Sequence, residues 1–207
     1  MAYTTIDNPE LYFQTKLYTG NASTNAITLD GSEDMQPDMV WLKSRSFIQN
    51  HELYDAVRGA TKRLYPNGSY AEDTNSTGLT GFNSDGFTLG SSNAINKSGE
   101  TFASWNWLAG TSFTNDASAT GIGSIDSSGS VNETAGFSIV SYTGSGSAAT
   151  VKHGLSTTPN MMIIKNRPAT DGRDWQVYSP VNDPTDALAL NQTDPTGDSN
   201  VYWNDTA

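Results

Sequence analysis

Pro37-Asp38-Met39-Val40-Trp41-Leu42-Lys43-Ser44-Arg45 returns later in the chain as Pro159-Asn160-Met161-Met162-Ile163-Ile164-Lys165-Asn166-Arg167. Each stretch sets an unbroken apolar run behind a proline. A short continuous apolar run bounded by turn residues predicts a strand buried on both faces, at the centre of a sandwich. The flanks repeat too. Phe13-Gln14-Thr15-Lys16-Leu17-Tyr18-Thr19-Gly20 answers to Phe137-Ser138-Ile139-Val140-Ser141-Tyr142-Thr143-Gly144, and Tyr54 answers to Tyr178. Blocks recurring at a nearly constant offset mark a tandem duplication, which makes one copy the unit of folding.

The duplication divides the chain. Residues 1–12 have no partner in the second copy and form an N-terminal arm. Residues 13–110 are the first β-sandwich repeat, and residues 134–207 are the second. Between them, residues 111–133 are rich in Ser, Gly, Thr and Asn and read as a flexible linker, with Ile122, Ile125 and Val131 able to supply an edge strand. The first copy continues through a turn at Asn83-Ser84-Asp85-Gly86 into two strands, residues 86–89 and 102–107. The second has no counterpart of either, so it is expected to be truncated, with an open backbone edge met by a neighbouring chain or by further residues. We favour further residues.

Short apolar bursts between Gly, Ser, Thr, Asn and Asp give an all-β expectation: tandem antiparallel β-sandwich repeats of jelly-roll or lectin-like type with almost no helix. Trp175-Gln176-Val177-Tyr178 alternates as a half-buried strand does. Residues 52–57 pass for a helical turn alone, but the duplication assigns them to a strand. Alternation along residues 102–107 puts Trp105 and Trp107 on one face, Ser104 and Asn106 on the other.

The formal net charge of −11 opposes nucleic-acid binding, which needs a phosphate-neutralising surface. It also opposes attraction to anionic membranes. No apolar run approaches the ~20 residues that span a bilayer, and Met1 to Asp7 has neither the basic nor the apolar region of a secretory signal. Cysteine is absent, so disulfides and thiolate metal sites are excluded. The chain is expected to fold in a cytoplasm.

Catalytic signals are sparse. His51 and His153 are the two histidines, and neither sits in a zinc-protease spacing. No nucleophile elbow or phosphate-binding loop occurs. Asp194-Pro195-Thr196-Gly197-Asp198-Ser199-Asn200 comes nearest to a calcium loop but fits no established pattern, so it reads as a solvated turn. No catalytic residue, metal site or cofactor is expected.

Aromatics are plentiful for so polar a chain. Trp41 and Trp175 read as core. Tyr65, Tyr70 and Tyr202 lie in polar loops and are the glycan-binding candidates: a tyrosine face meets the apolar face of a sugar while nearby amides meet hydroxyls. Tyr3, Ile6, Pro9, Leu11 and Tyr12 make the arm a docking element. Apolar anchors on an extended segment suit a partner's groove or sheet edge.

These residues also carry a resemblance. Tyr18-Thr19-Gly20-Asn21 followed by the Pro37-to-Arg45 strand resembles a repeat in virion structural proteins of marine and cyanobacterial phages, a tail-fibre-like family of unknown function. Val57-Arg58-Gly59-Ala60-Thr61-Lys62, Ser84-Asp85-Gly86-Phe87-Thr88-Leu89-Gly90 and the strand from Phe137 to Tyr142 carry it as well. It covers nearly the whole chain after residue 12. It implies a virion component with a lectin-like sandwich, a homotrimer as in other phage fibres, and other virion proteins of tail or capsid as partners. It carries over no catalytic residue. In that family the second copy also ends in a strand like residues 102–107, and here the chain departs from the pattern.

The reading is a non-enzymatic virion protein, assembled in the host cytoplasm. It would be a tail fibre or its virion-proximal part, attached through the arm and able to meet a host-surface glycan. A capsid-surface decoration protein is the first alternative. A polysaccharide-degrading tailspike is the second and needs two carboxylates facing across a cleft. A free-standing lectin would act without any particle.

Overall fold

The computed structural model describes residues 6–169, 172–179, 181, 185–199 and 201–203. In chain order the first half carries strands β1 (Phe13–Thr19), β2 (Asn25–Ile27), β3 (Met39–Ser44), β4 (Glu52–Asp55), β5 (Lys62–Arg63), β6 (Asp73–Thr74), β7 (Leu79–Asn83) and β8 (Gly86–Leu89). One helical turn, α1 (Asn93–Asn96), precedes β9 (Thr101–Trp107). Then come β10 (Thr111–Asn115), a second helical turn α2 (Ala117–Thr120), β11 (Ser127–Asn132), β12 (Phe137–Tyr142), β13 (Met162–Ile164), β14 (Gln176–Tyr178), β15 (Asp186–Ala189) and β16 (Gly197–Asp198). The protein is all-β, and every pairing between these strands is antiparallel.

The first half is a sandwich. One sheet runs β1-β9-β3-β4, the other β2-β8-β7. Ile27, Val40, Leu42, Tyr54, Leu79, Phe87, Leu89 and Ile95 interdigitate between them as one core. Burying each such side chain contributes about 1.5–3 kcal/mol, which is what holds the sheets face to face. The turn before β8 works because Gly86 takes φ 108° and a side chain there would strike the Ile27 carbonyl.

The double burial expected of the two apolar runs is not what forms. Along β3 burial alternates: Val40, Leu42 and Ser44 face the core, while Met39, Trp41 and Lys43 face an outer surface that is only partly covered. Met161, just before β13, and Ile163 within it are exposed. An apolar run needs a layer on both sides, and here the second layer is incomplete.

β9 alternates as expected, but its polar face is the inner one. Phe102, Ser104 and Asn106 are buried. Asn106 donates to the Gln14 carbonyl at 3.0 Å and to Ser104 Oγ at 3.0 Å, which pairs its NH2 group, while its Oδ1 is buried without a hydrogen-bond partner among the described residues. Trp105 and Trp107 occupy the outer face, where Trp105 lies beside Trp41 in register.

The second half is not a second sandwich of the first kind. β10, β11 and β12 form one sheet; β13, β14, β15 and β16 form another. The Ser/Gly-rich stretch expected to be a linker or edge strand supplies β10 and β11, and β11 is central. Its composition serves close approach: a side chain at Gly129 would meet the Ile139 carbonyl at 2.2 Å and the Phe113 ring at 2.8 Å. Among described residues after 133, the buried apolar side chains are Trp175 and Val177.

Trp175 binds the halves together. It packs with Leu53 and Leu64 of the first half, flanked by Met39, Trp41 and Leu190. Phe137 stacks on Trp107 with ring centroids 6.2 Å apart. The core role expected of Trp175 is therefore met at the junction between the halves.

Candidate functional site

Two regions hold the residues singled out from sequence. The first is the segment from Leu64 to Asp73, which joins β5 to β6. Tyr65-Pro66-Asn67-Gly68 is a turn in which the Gly68 amide donates to the Tyr65 carbonyl at 3.0 Å. A Cβ at Gly68 would lie 2.7 Å from the Tyr70 ring, so the missing side chain leaves room for that ring to fold over the turn. Tyr65 and Tyr70 meet edge to face with centroids 5.3 Å apart. With Asn50, Ala71 and Asp73 they line a shallow depression. Tyr70 is 58% exposed.

The floor of this depression is fixed by charge. Asp73 accepts from Arg63 at 2.9 and 2.6 Å, a bidentate pair, and from the Tyr65 hydroxyl at 3.1 Å. Arg63 also donates to Glu52 at 2.8 Å, and its guanidinium lies 4.8 Å from the Tyr65 ring centroid. Behind it the Tyr54 hydroxyl donates to Glu52 at 2.6 Å. The Arg63 hydrogen bond holds Asp73 below its ordinary carboxylate range. Burial pushes the Tyr65 hydroxyl up to about 12, so it stays a donor. Burial also raises Glu52, but Glu52 is sealed beneath Tyr54 and Arg63. Glu52 and Asp73 share an arginine and do not face each other across an open cleft.

The walls are tied down as well. Asn67 Nδ2 donates to Asn50 Oδ1 at 3.0 Å, and the His51 amide donates to Asn67 Oδ1 at 2.8 Å. From the second half, Trp175 Nε1 donates to the Tyr65 and Gly68 carbonyls at 2.9 and 3.1 Å. Lys165 reaches the Ser69 carbonyl at 3.1 Å. Arg167 grips Glu72 at 2.9 Å through both Nε and Nη2, and Glu72 also receives Arg58 at 2.9 Å. Burial alone would raise Glu72, but these arginine hydrogen bonds outweigh it and hold it low. The arrangement is a rigid, open surface of rings, a carboxylate and an amide. It can bind hydroxyls.

The second region is the arm. Tyr3 lies outside the described residues. Ile6, Pro9 and Tyr12 face their own chain, lining an apolar groove with Phe13, Trp107 and Phe137, while Leu11 is exposed. The extended arm expected from sequence is instead a 3-10 turn, Pro9–Leu11. Pro9 stands at its first position, where a missing N–H costs nothing, and Asn8 caps it by accepting the Glu10 amide at 3.1 Å. Glu10 accepts the Ser32 amide at 2.7 Å. Gln14, buried at 4%, donates to the Glu10 and Glu33 carbonyls. Residues 6–12 thus close one end of the first sandwich.

Of the three tyrosine candidates, the fold brings Tyr65 and Tyr70 together. Tyr202 lies in the second half, next to Trp203, which packs edge to face on Tyr178. Sequence reading missed Asn50, Arg63 and Asp73. The Tyr-Pro-Asn-Gly turn was the available signal that Tyr65 and Tyr70 fold back on each other. Both histidines have structural partners. His51 Nδ1 accepts from Trp41 Nε1 at 2.9 Å, and burial lowers its pKa. His153 Nδ1 accepts from the Leu155 amide at 3.2 Å. Among the described residues, no three His, Cys, Asp or Glu side chains converge in a metal-holding group.

Residues 8–207 match the model of a family described as a domain of unknown function, DUF7483, and the chain belongs to that family. The matched region begins inside the arm, in accord with the packing of residues 8–12 on the sandwich. No curated protein matches the chain, and no solved structure does.

Proposed function

We propose that this protein is a non-enzymatic structural component of a phage particle, a tail fibre or its virion-proximal part, that works by assembling with other chains. The observation that supports this reading is the difference between the halves. In the first, β9 pairs with both β1 and β3 and completes a four-stranded sheet. In the second, β12 ends one sheet and β13 begins another. Edges of this kind recruit strands from neighbouring chains. Arg167 Nη1 donates to Ser141 Oγ at 3.1 Å, so side chains just past β13 and on β12 touch without a strand pairing. The resemblance in the repeat motifs supplies the particle.

Attachment is assigned to the arm region, where Leu11 faces outward beside the groove lined by Ile6, Pro9 and Tyr12. Contact with a host-surface glycan is assigned to the Tyr65–Tyr70 face. The oligomer expected is a homotrimer.

The test is location. Antibodies raised against the chain, applied to purified particles of the phage that encodes it, should decorate the tail in electron micrographs. Decoration of the capsid shell would favour a surface decoration protein. Particles that lack the chain altogether would overturn the proposal.

A further inference from the structure

We propose that the depression lined by Asn50, Tyr65, Tyr70, Ala71 and Asp73 binds an uncharged hexopyranose, with the sugar's apolar face on the Tyr70 ring. This names the ligand class for the receptor-facing role assigned above, and rests on that reading. The first argument is that the scaffold does not need these residues. Leu53 bridges Leu64 in the first half, and Val177 pairs with Leu188 in the second. Arg63 pairs with Asp73, and Ala187 with Gly197. The second set of strands therefore adopts the same pairing with Ala187, Ala189 and Gly197 where the first has Arg63, Tyr65 and Asp73. Three coordinated polar and aromatic groups that the pairing itself can omit call for another reason to be there.

The second argument is preorganisation. Tyr70 is half exposed, yet its ring is seated on Gly68 and braced by Tyr65. The backbone beneath is held by Trp175 and Lys165. Little side-chain freedom is left to lose on binding, which is what weak sugar stacking needs. Hydroxyl partners converge beside the ring. Asp73 Oδ1 accepts one hydrogen bond from Arg63 and keeps a lone pair. Asn50 spends its oxygen on Asn67, which leaves its NH2 group to donate. An acceptor and a donor next to an aromatic face match vicinal hydroxyls at the edge of a pyranose.

Charge narrows the class. Glu52, Arg63 and Asp73 together carry one formal negative charge, which Lys165 on the Ser69 carbonyl offsets locally, so the repulsion comes from the chain's net charge of −11. Sulfated and uronic sugars are repelled from such a surface.

The experiment is saturation-transfer NMR on the isolated full chain with methyl α-D-glucopyranoside, methyl α-D-mannopyranoside, methyl β-D-galactopyranoside and a 6-sulfated galactoside. Because no particle is involved, its failure is separate from failure of the localisation test. We expect transfer to ring C–H protons of at least one neutral sugar, and binding of the sulfated sugar weaker by about tenfold or more. Tyr70→Ala should abolish the signal, while Tyr70→Phe and Tyr202→Ala keep it, all with unchanged circular dichroism. No transfer from any neutral sugar at millimolar concentration, preference for the sulfated one, or an undiminished signal in Tyr70→Ala would overturn the proposal.

Discussion

Strands β3 to β6 and β13 to β16 can be laid side by side residue for residue. Val40 pairs with Tyr54 and Met162 with Tyr178; Leu42 pairs with Glu52 and Ile164 with Gln176. Yet Val40 and Leu42 are fully buried, while their counterparts Met162 and Ile164 are only partly buried. The same local pairing has a different energetic standing because of what surrounds it. β3 has β4 on one side and β9 on the other, with a second sheet on its inner face. β13 has β14 alone. Pairing is local and encoded in the strands themselves; closure is supplied by strands from elsewhere in the chain. The charged residues follow suit. Glu52, Arg63 and Asp73 give way to Gln176, Ala187 and Gly197 together, as expected if removing one member would leave a buried partner uncompensated.

If the second half leans on the first, its anchor is Trp175. Trp175→Ala should cost about 3–5 kcal/mol of protection in the second half. Limited proteolysis would read this as rapid cleavage after residue 142 with the first sandwich intact. Cleavage no faster than in the parent chain would break the comparison.

Matched core positions give the next largest contrast. Leu42→Ala should cost about 2–5 kcal/mol in urea unfolding. Ile164→Ala, its counterpart, should cost about 1 kcal/mol, because less apolar area is withdrawn from water there. Equal costs would mean that the second half has a core of its own.

Acid should separate the halves before it unfolds the first. Glu72 and Asp73 have folded-state pKa values below their ordinary ones. Their contribution is therefore present above the unfolded values of about 4 and is lost as pH falls through the lower folded values. Glu72 is the carboxylate that holds Arg167, so cleavage of the second half should accelerate below about pH 4. Arg167 is 39% exposed, so the effect of its contact at neutral pH is modest, about 1 kcal/mol or less. Glu72→Gln should weaken the acid response; an identical profile would remove this contact from the docking account.

Much of the fold was legible because the chain repeats. Residues 52–55 look helical alone, and only their counterpart at Gln176–Tyr178 marks them as a strand. The inner face of β9 was not legible. Ser104 and Asn106 look like the solvent side until Gln14, far away in sequence, is seen to accept from Asn106, which in turn pairs with Ser104. β10 and β11 were hidden because Ser and Gly suggest flexibility, whereas here small side chains allow close strand approach. Of the candidate glycan face, the rings were visible in the sequence. Asp73 and Asn50 were not, since the contacts that place them there run through Arg63, the Tyr65 hydroxyl and Asn67.

Native-state hydrogen exchange read by mass spectrometry tests the central claim most directly. Amides of β3 should exchange only through global unfolding, and those of β13 at least about 100-fold faster through local opening. Equally slow exchange in the two strands would contradict the account, for it would mean that the second half is as closed as the first.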